Sequence, residues 1–240
     1  MDYKILEGKN CLVTGATGGI GQAVAFQLAS HKSNLFLTAT NPDKLHALQE
    51  RLQHGQEIKV HYESGDLTNI QDVENIIATV RKNICTIDII IHCAGRFIVK
   101  SLADSNMNDF TSTFDLFVRS AFLFAKEFSW DMKKVGWGRI VNIGSSSSYS
   151  GVSNTSIYCA AKHALLGFSR AIHDELKQYN IRTFSISPSG TKTRMGKLIP
   201  NQNYDTFLEP QEIAEYVAFV ICYNGTMITD ELRLNRLIMG

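Results

Sequence analysis

VTGATGGIG, residues Val13–Gly21, lies between an apolar run that starts at Cys11 and a segment of helical period that starts near Ile20. Glycine lets the backbone turn tightly and approach a phosphate, whose charge then faces the first amides of the helix. A glycine-rich turn by itself also fits close packing of a strand on a helix. With a strand before it and a helix after it, the turn predicts a dinucleotide-binding loop.

The same alternation of short apolar runs and helical segments continues along the whole chain. It is typical of βαβ units and of a parallel sheet covered on both faces, so we predict one doubly wound α/β domain over residues 1–240. Ligands of such sheets lie at the carboxyl ends of the strands. The predicted strands are 11–15, 34–39, 58–62, 87–95, 138–144, 181–187 and 231–235. The predicted helices are 20–31, 42–53, 70–81, 107–134, 156–179 and 210–223.

Composition narrows the class of protein. The chain has 240 residues, 44% of them hydrophobic, with 24 basic and 23 acidic residues and a net charge of +1. This balance gives no electrostatic footprint for nucleic acid or an anionic membrane, so we expect a small-molecule ligand. The five cysteines are scattered without a CxxC pair, and no stretch approaches the roughly 20 apolar residues of a membrane span. Most of the cysteines lie inside apolar runs, so we expect a cytoplasmic protein with buried thiols in a reducing compartment.

Tyr158 and Lys162 stand four residues apart in IYCAAKHAL. Residues at i and i+4 share one helix face, so a phenol and an amine can point into the same space. An ammonium beside a tyrosine favours the phenolate and lowers its pKa from about 10. The pair is thus a candidate acid with its tuning cation, although the same spacing also fits a half-buried packing tyrosine.

The glycine spacing carries a family resemblance. Thr14, Gly15, Gly19 and Gly21 form TGxxxGxG rather than the commoner GxGxxG. This loop resembles that of the short-chain dehydrogenase/reductase family, and the resemblance runs from about Gly8 to Asn235. It implies a Rossmann sheet of about seven strands in the order 3-2-1-4-5-6-7, with helices on both faces.

Further motifs similar to those of the family follow the predicted strands. DLT at 66–68 resembles the aspartate motif that contacts adenine, and HCAG at 92–95 resembles Asn-Asn-Ala-Gly without its asparagines. SPSGTKT at 187–193 resembles Pro-Gly-x-x-x-Thr, with Pro188 kept and Ser189 in place of glycine. Ser145 stands thirteen residues before Tyr158, which is the family's serine-to-tyrosine spacing.

The resemblance implies an NAD(P)(H)-dependent oxidoreductase that transfers hydride between nicotinamide and a carbonyl or secondary alcohol. Tyr158 is then the acid/base, Lys162 its tuner and a ribose ligand, and Ser145 the hydrogen-bond donor to the substrate oxygen. The alternative is a catalytically impaired regulatory or scaffold protein that binds the cofactor on the same fold. The implied cofactor-binding residues are Gly15, Thr17, Gly18, Gly19, Ile20, Gly21, Thr40, Asn41, Asp66, Leu67, Cys93, Ala94, Gly95, Tyr158, Lys162, Pro188, Ser189, Thr191 and Thr193.

Residues at the end of the second predicted strand indicate whether the family member prefers NAD(H) or NADP(H). NAD-preferring members carry an acid there, whereas TATN at 38–41 has none, and Thr40 and Asn41 could donate hydrogen bonds to a 2'-phosphate. Similar Thr-Ala-Thr ends occur in acyl-carrier-protein reductases of the family. We therefore favour NADP(H) over NAD(H).

Two departures from the family pattern affect the site. Phe117 falls where the family has an asparagine that holds a water of the proton relay, and phenylalanine cannot bind that water. The predicted substrate loop at 189–209 is short, so we expect an open pocket. Its candidate lining residues are Arg96, Phe97, Ser147, Tyr149, Asn154 and Met195.

The segment from Phe110 to Phe128 is apolar on more than one helix face. Either it is a deeply buried core helix or it also forms a helix–helix seam, as in the family, so we expect a homodimer or homotetramer. The seven histidines show no metal-ligand spacing, and we expect His92 and His163 to be structural or exposed to solvent, with no metal site.

Overall fold

The computed structural model describes residues 2–199 and 202–237, so Met1 and the last three residues of the predicted domain lie outside the described part. Seven parallel strands form one sheet in the order β3-β2-β1-β4-β5-β6-β7, which confirms the predicted order. The strands are β1 (Asn10–Thr14), β2 (Asn34–Ala39), β3 (Val60–Ser64), β4 (Ile89–His92), β5 (Gly138–Ile143), β6 (Ile181–Pro188) and β7 (Glu231–Leu234).

Seven α-helices connect the strands in the described part of the chain. Asn41 caps α2 by accepting a hydrogen bond from the Lys44 amide at 2.8 Å, with Pro42 at the first helical position. The helices are α1 (Gly19–Ser30), α2 (Pro42–Gln53), α3 (Ile70–Asn83), α4 (Met107–Phe114), α5 (Ser120–Val135), α6 (Ser156–Leu176) and α7 (Pro210–Cys222).

The predicted helix over 107–134 is not one regular α-helix. A π-helical turn, Asp115–Arg119, joins α4 to α5, and the Ser120 amide donates to the Asp115 carbonyl across five residues. A π-helical turn contains one residue more than an α-helical turn, so it changes which of the following side chains face the sheet. Phe117 lies within this turn and is buried.

The core lies on both faces of the sheet because successive strand residues point to opposite sides. In β1, Cys11 and Val13 pack with Val24 of α1 and Val217 of α7, whereas Leu12 packs with residues of α3 and α5 on the other face. Helices therefore cover both faces, and the carboxyl ends of the strands remain as the open edge of the sheet. Within residues 2–199 and 202–237, no helix is long and apolar enough to cross a bilayer.

Candidate active site

The glycine turn after β1 is packed so closely that no side chain would fit at Gly15, Gly19 or Gly21. Gly15 has φ +62°, and a Cβ added at Gly21 would lie 2.3 Å from the Gly15 carbonyl oxygen. A Cβ added at Gly19 would lie 2.5 Å from Cγ2 of Thr193, which follows β6. The turn thus brings the start of α1 against the loop after β6.

The N-terminus of α1 offers free donors. Its N-cap, Gly18, provides no side-chain hydrogen bond to the first turn. The amides of Gly19, Ile20 and Gly21 therefore have no intrahelical acceptor, and with the positive end of the helix dipole they form a site for an anion.

A cavity of about 350 Å³ lies at this end of the sheet. Its lining contains all three predicted catalytic residues, Ser145, Tyr158 and Lys162, which the fold brings together from the segment after β5 and from α6. It also contains the predicted cofactor residues Ile20, Cys93, Ala94, Gly95, Pro188, Ser189, Thr191 and Thr193.

The other predicted cofactor residues lie outside this lining. Gly15, Thr17, Gly18, Gly19 and Gly21 lie in or beside the glycine turn. Thr40 and Asn41 are exposed after β2, and Asn41 caps α2. After β3, Asp66 is exposed and its carboxylate accepts from the Thr68 amide at 2.9 Å, while Leu67 packs in the core.

Tyr158 is 6% exposed, and its environment differs from the expectation that Lys162 would lower its pKa. Burial raises the pKa of Tyr158 to about 12, while a hydrogen bond with Ser145 acts in the opposite direction. The Lys162 ammonium donates to the Ile143 carbonyl at 2.7 Å and lies 5.9 Å from the centroid of the Tyr158 ring. Sequence spacing placed the amine on the right face but could not show that a strand carbonyl would bind it.

Burial also acts on Lys162, lowering its pKa to about 7, with a smaller opposing effect from the Cys93 thiol. The cation is 4% exposed. A buried amine with this pKa changes protonation state near neutral pH, as an acid/base site requires.

His92 has a structural role that sequence reasoning did not resolve. Thr14 Oγ1 accepts from the Ala94 amide at 3.1 Å and meets His92 Nδ1 at 3.0 Å, while His92 Nε2 meets Ser120 Oγ at 3.3 Å. Ser120 in turn donates to the Leu116 carbonyl, so the ring carries its proton on Nε2. The chain of bonds ties β1, the loop after β4 and the π-helical turn together. The signal in the sequence was the histidine at the first position of HCAG.

The predicted substrate-pocket residues divide into two groups. Phe97, Ser147 and Met195 line the cavity. Arg96 instead donates to Ser112 at 2.8 Å, and Tyr149 donates to Glu231 at 3.1 Å. The Asn154 carbonyl accepts from the Lys100 amide. These three residues lie outside the cavity lining, and their place in the substrate pocket stays a prediction.

The missed lining residues come from the segment after β5, the substrate loop and the end of β7, which strand-end motifs do not cover. They include Val152, Ile199, Gln202, Asn235 and Arg236. Arg236 donates to Gln202 at 2.9 Å and to Thr206 at 3.1 Å. Pro200 and Asn201 of the predicted loop lie outside the described residues.

Comparison with known proteins agrees with this geometry. A 3-oxoacyl-[acyl-carrier-protein] reductase FabG of Rickettsia bellii is 30% identical over 237 residues, which cover 94% of each chain. FabG of Aquifex aeolicus is 27% identical over 236 residues, which cover 95% of each chain. An alcohol dehydrogenase from Thermococcus sibiricus, solved with 5-hydroxy-NADP, superposes with a TM-score of 0.87 at 25% identity, covering 96% of this chain and 97% of its own.

The sequence profile of the short chain dehydrogenase family matches residues 9–203. None of these similarities favours the catalytically impaired alternative. The chain therefore belongs to the short chain dehydrogenase family and is an NAD(P)-dependent oxidoreductase.

Proposed function

We propose that the enzyme interconverts a ketone and a secondary alcohol, with Tyr158, Lys162 and Ser145 as the groups that act on the reacting oxygen. The observation that carries the proposal is that the three side chains line one cavity together with Ile20, at the start of the glycine-turn helix. A phenol, a hydroxyl and a buried cation in one cavity match the needs of an oxygen that gains negative charge and then a proton.

The site fits a nicotinamide dinucleotide on observations of this chain. The glycine positions of the turn leave no room for a Cβ at Gly15, Gly19 or Gly21, and the start of α1, which has no side-chain cap, can bind the pyrophosphate. The Ser189 hydroxyl lines the cavity and is buried with no hydrogen-bond partner in the described residues, so it is available to a ligand. Ala94, Gly95, Thr191 and Thr193 line the same cavity and would hold the cofactor there.

The bound cofactor supplies or accepts the hydride. Tyr158 donates the proton to the carbonyl oxygen in reduction and accepts it in oxidation. Ser145, whose hydroxyl hydrogen-bonds Tyr158, orients that oxygen against the phenol. The Lys162 ammonium, held by the Ile143 carbonyl, places a positive charge in the cavity where the substrate oxygen gains negative charge.

We propose NADP(H) as the preferred cofactor. Thr40 and Asn41 place no carboxylate beside the ribose, so a 2'-phosphate meets no repulsion there. A sorbose reductase of Gluconobacter frateurii with this fold was solved with NADPH. Fluorescence titration should give tighter binding of NADPH than of NADH, and the reverse order would overturn the preference.

The cavity wall beside the catalytic residues is apolar, formed by Phe97, Val152 and Met195. This wall suits a ketone that carries an apolar chain. We propose 3-oxoacyl thioesters as the first substrates to test, because FabG proteins are among the relatives. The test measures oxidation of NADPH with 3-oxoacyl thioesters, simple ketones and aldehydes. We expect turnover with at least one class and a loss of about 10²- to 10⁴-fold in Tyr158→Phe. Turnover that is the same in both proteins would refute the proposal.

We also propose a homodimer or homotetramer that forms along α4 and α5. Phe117, Phe124 and Phe128 face the protein's own core, whereas Phe122 is 46% and Trp130 62% exposed. Exposed aromatic side chains on one helix surface are typical of an interface. Sedimentation at micromolar concentration should give a multiple of the 26.8 kDa mass, and a monomer would refute the proposal.

Two broader expectations complete the proposal. One sheet contains all seven strands, which supports a single domain with a substrate loop at 189–209. The five cysteines are free, which supports a cytoplasmic location.

A further inference from the structure

The Phe117 ring occupies a position between the two proposed catalytic side chains of α6. It is 1% exposed, and its centroid lies 5.7 Å from that of Tyr158 at 77°, an edge-to-face contact. The Lys162 Nζ lies 4.1 Å from the same centroid, which is a cation–π distance. One aromatic ring therefore contacts both the acid and the amine.

The surrounding backbone holds this ring in place. Phe117 projects from the π-helical turn Asp115–Arg119. A Cβ added at Gly95 would lie 3.0 Å from Cε1 of Phe117, so only a glycine there leaves the ring its full space. Phe114, from the end of α4, packs against the same cluster. The ring's position is fixed by packing from the loop after β4 and from the π-helical turn.

Lys162 needs such a neighbour because a buried ammonium must replace the water it loses. It has three donors. One binds the Ile143 carbonyl, and the face of Phe117 offers a second, electrostatic contact. The titratable groups that face the ammonium are Cys93 and His92 at the end of β4 and Tyr158 on its own helix.

We propose that Phe117 is a positioning residue, whose ring holds the Lys162 ammonium against the Ile143 carbonyl and closes that side of the lysine to water. The proposal rests on the proposed function only in assigning Lys162 a role in catalysis. At the position where the family pattern has a water-holding asparagine, this chain uses an aromatic face to stabilise the same cation. Protons then exchange with Lys162 from the cavity side, where Ser145 lies.

The direct test is titration of Lys162 in the protein without cofactor. The lysine Cε carbons are labelled with ¹³C, and the resonance of Lys162 is assigned by its loss in Lys162→Arg. Phe117→Leu keeps an apolar side chain but removes the π face, so the midpoint should fall by about one pH unit, equivalent to about 1.4 kcal/mol. Phe117→Asn admits water and an amide, so the midpoint should rise by at least about one unit.

Phe114→Leu is the matched control, because it removes an aromatic ring from the same cluster, whereas the ring contacts of Lys162 in the described residues are with Phe117 and Tyr158. It should leave the midpoint unchanged, and a shift equal to that of Phe117→Leu would overturn the proposal. An unchanged midpoint in Phe117→Leu would also overturn it. If Phe117→Leu does not fold, Phe117→Asn is the deciding variant. A rise in the Lys162 midpoint supports the proposal, and an unchanged or lower midpoint overturns it.

This measurement separates the inference from the function. A shifted Lys162 titration together with no tyrosine-dependent turnover would support the positioning role and refute the proposed reaction. In the active enzyme the pH midpoint of kcat should move in the same direction as the Lys162 resonance. A kcat profile that stays fixed while the resonance moves would show that Phe117 does not act on catalysis through Lys162.

Discussion

His92 should make the stability of this protein fall in mild acid by a calculable amount. The side chain is 1% exposed, and burial, with a smaller effect from Lys162, lowers its pKa from 6.5 to about 3. Below about pH 6.5, His92 therefore binds a proton in the unfolded chain but stays neutral in the folded chain. Stability contributed by the neutral ring is present above that pH and is lost as the pH falls towards 3.

The magnitude follows from linkage. Between pH 7 and pH 5 the unfolded histidine becomes almost fully protonated while the folded one stays neutral, which costs about 2 kcal/mol. Urea unfolding followed by circular dichroism at the two pH values measures this loss. His92→Asn removes the titration while keeping a donor and an acceptor for Thr14 and Ser120, so it should lose about 2 kcal/mol less than the wild type.

His163→Gln is the matched control, since it removes an exposed histidine from α6. This variant keeps His92, so its stability should still fall by the His92 contribution of about 2 kcal/mol between the two pH values. If His92→Asn lost as much stability as the wild type over the same interval, the buried neutral histidine would not be the cause, and the assigned hydrogen-bond chain would be wrong.

Three further changes test other parts of the structure. Gly21→Ala places a Cβ 2.3 Å from the Gly15 carbonyl oxygen. The free energy of unfolding should therefore fall by about 1–3 kcal/mol, and the affinity for NADPH should fall at least about tenfold. An unchanged affinity would contradict this. Arg139→Met removes a fully buried guanidinium that donates to the Ile221 and Asn180 carbonyls, which should cost about 3 kcal/mol in urea unfolding without changing NADPH affinity. Because the pKa of Lys162 is lowered to about 7, wild-type stability should rise relative to Lys162→Met by about 1 kcal/mol per pH unit above pH 7, and a falling difference would contradict this.

The alternation of apolar runs and helical periods predicted most of the fold. The predicted bounds of β2 and α2 agree with the structure, because Asn41 and Pro42 mark the junction chemically. The π-helical turn within the predicted helix 107–134 could not be predicted, since one inserted residue hardly alters the apolar spacing of a long helix. The predicted strand 87–95 is β4, which ends at His92 rather than at Gly95, because an apolar run does not show where pairing stops.

Part of the candidate site could likewise be predicted from the sequence, and part could not. Motif spacing found Ser145, Tyr158 and Lys162, and the cavity contains all three. It could not find the partners that come from remote segments. The Ile143 carbonyl that binds Lys162 is backbone, and the Arg236 contact depends on how β7 lies beside the substrate loop. Such contacts are set by tertiary packing, which leaves little trace in local sequence.

The most direct test of the account compares NADPH binding and single-turnover reduction in the wild type and in Tyr158→Phe, with the best ketone substrate. If the phenol delivers the proton, both proteins will bind NADPH with dissociation constants within about threefold, and the variant will reduce the ketone about 10²- to 10⁴-fold more slowly. Equal single-turnover rates in the two proteins would contradict the account.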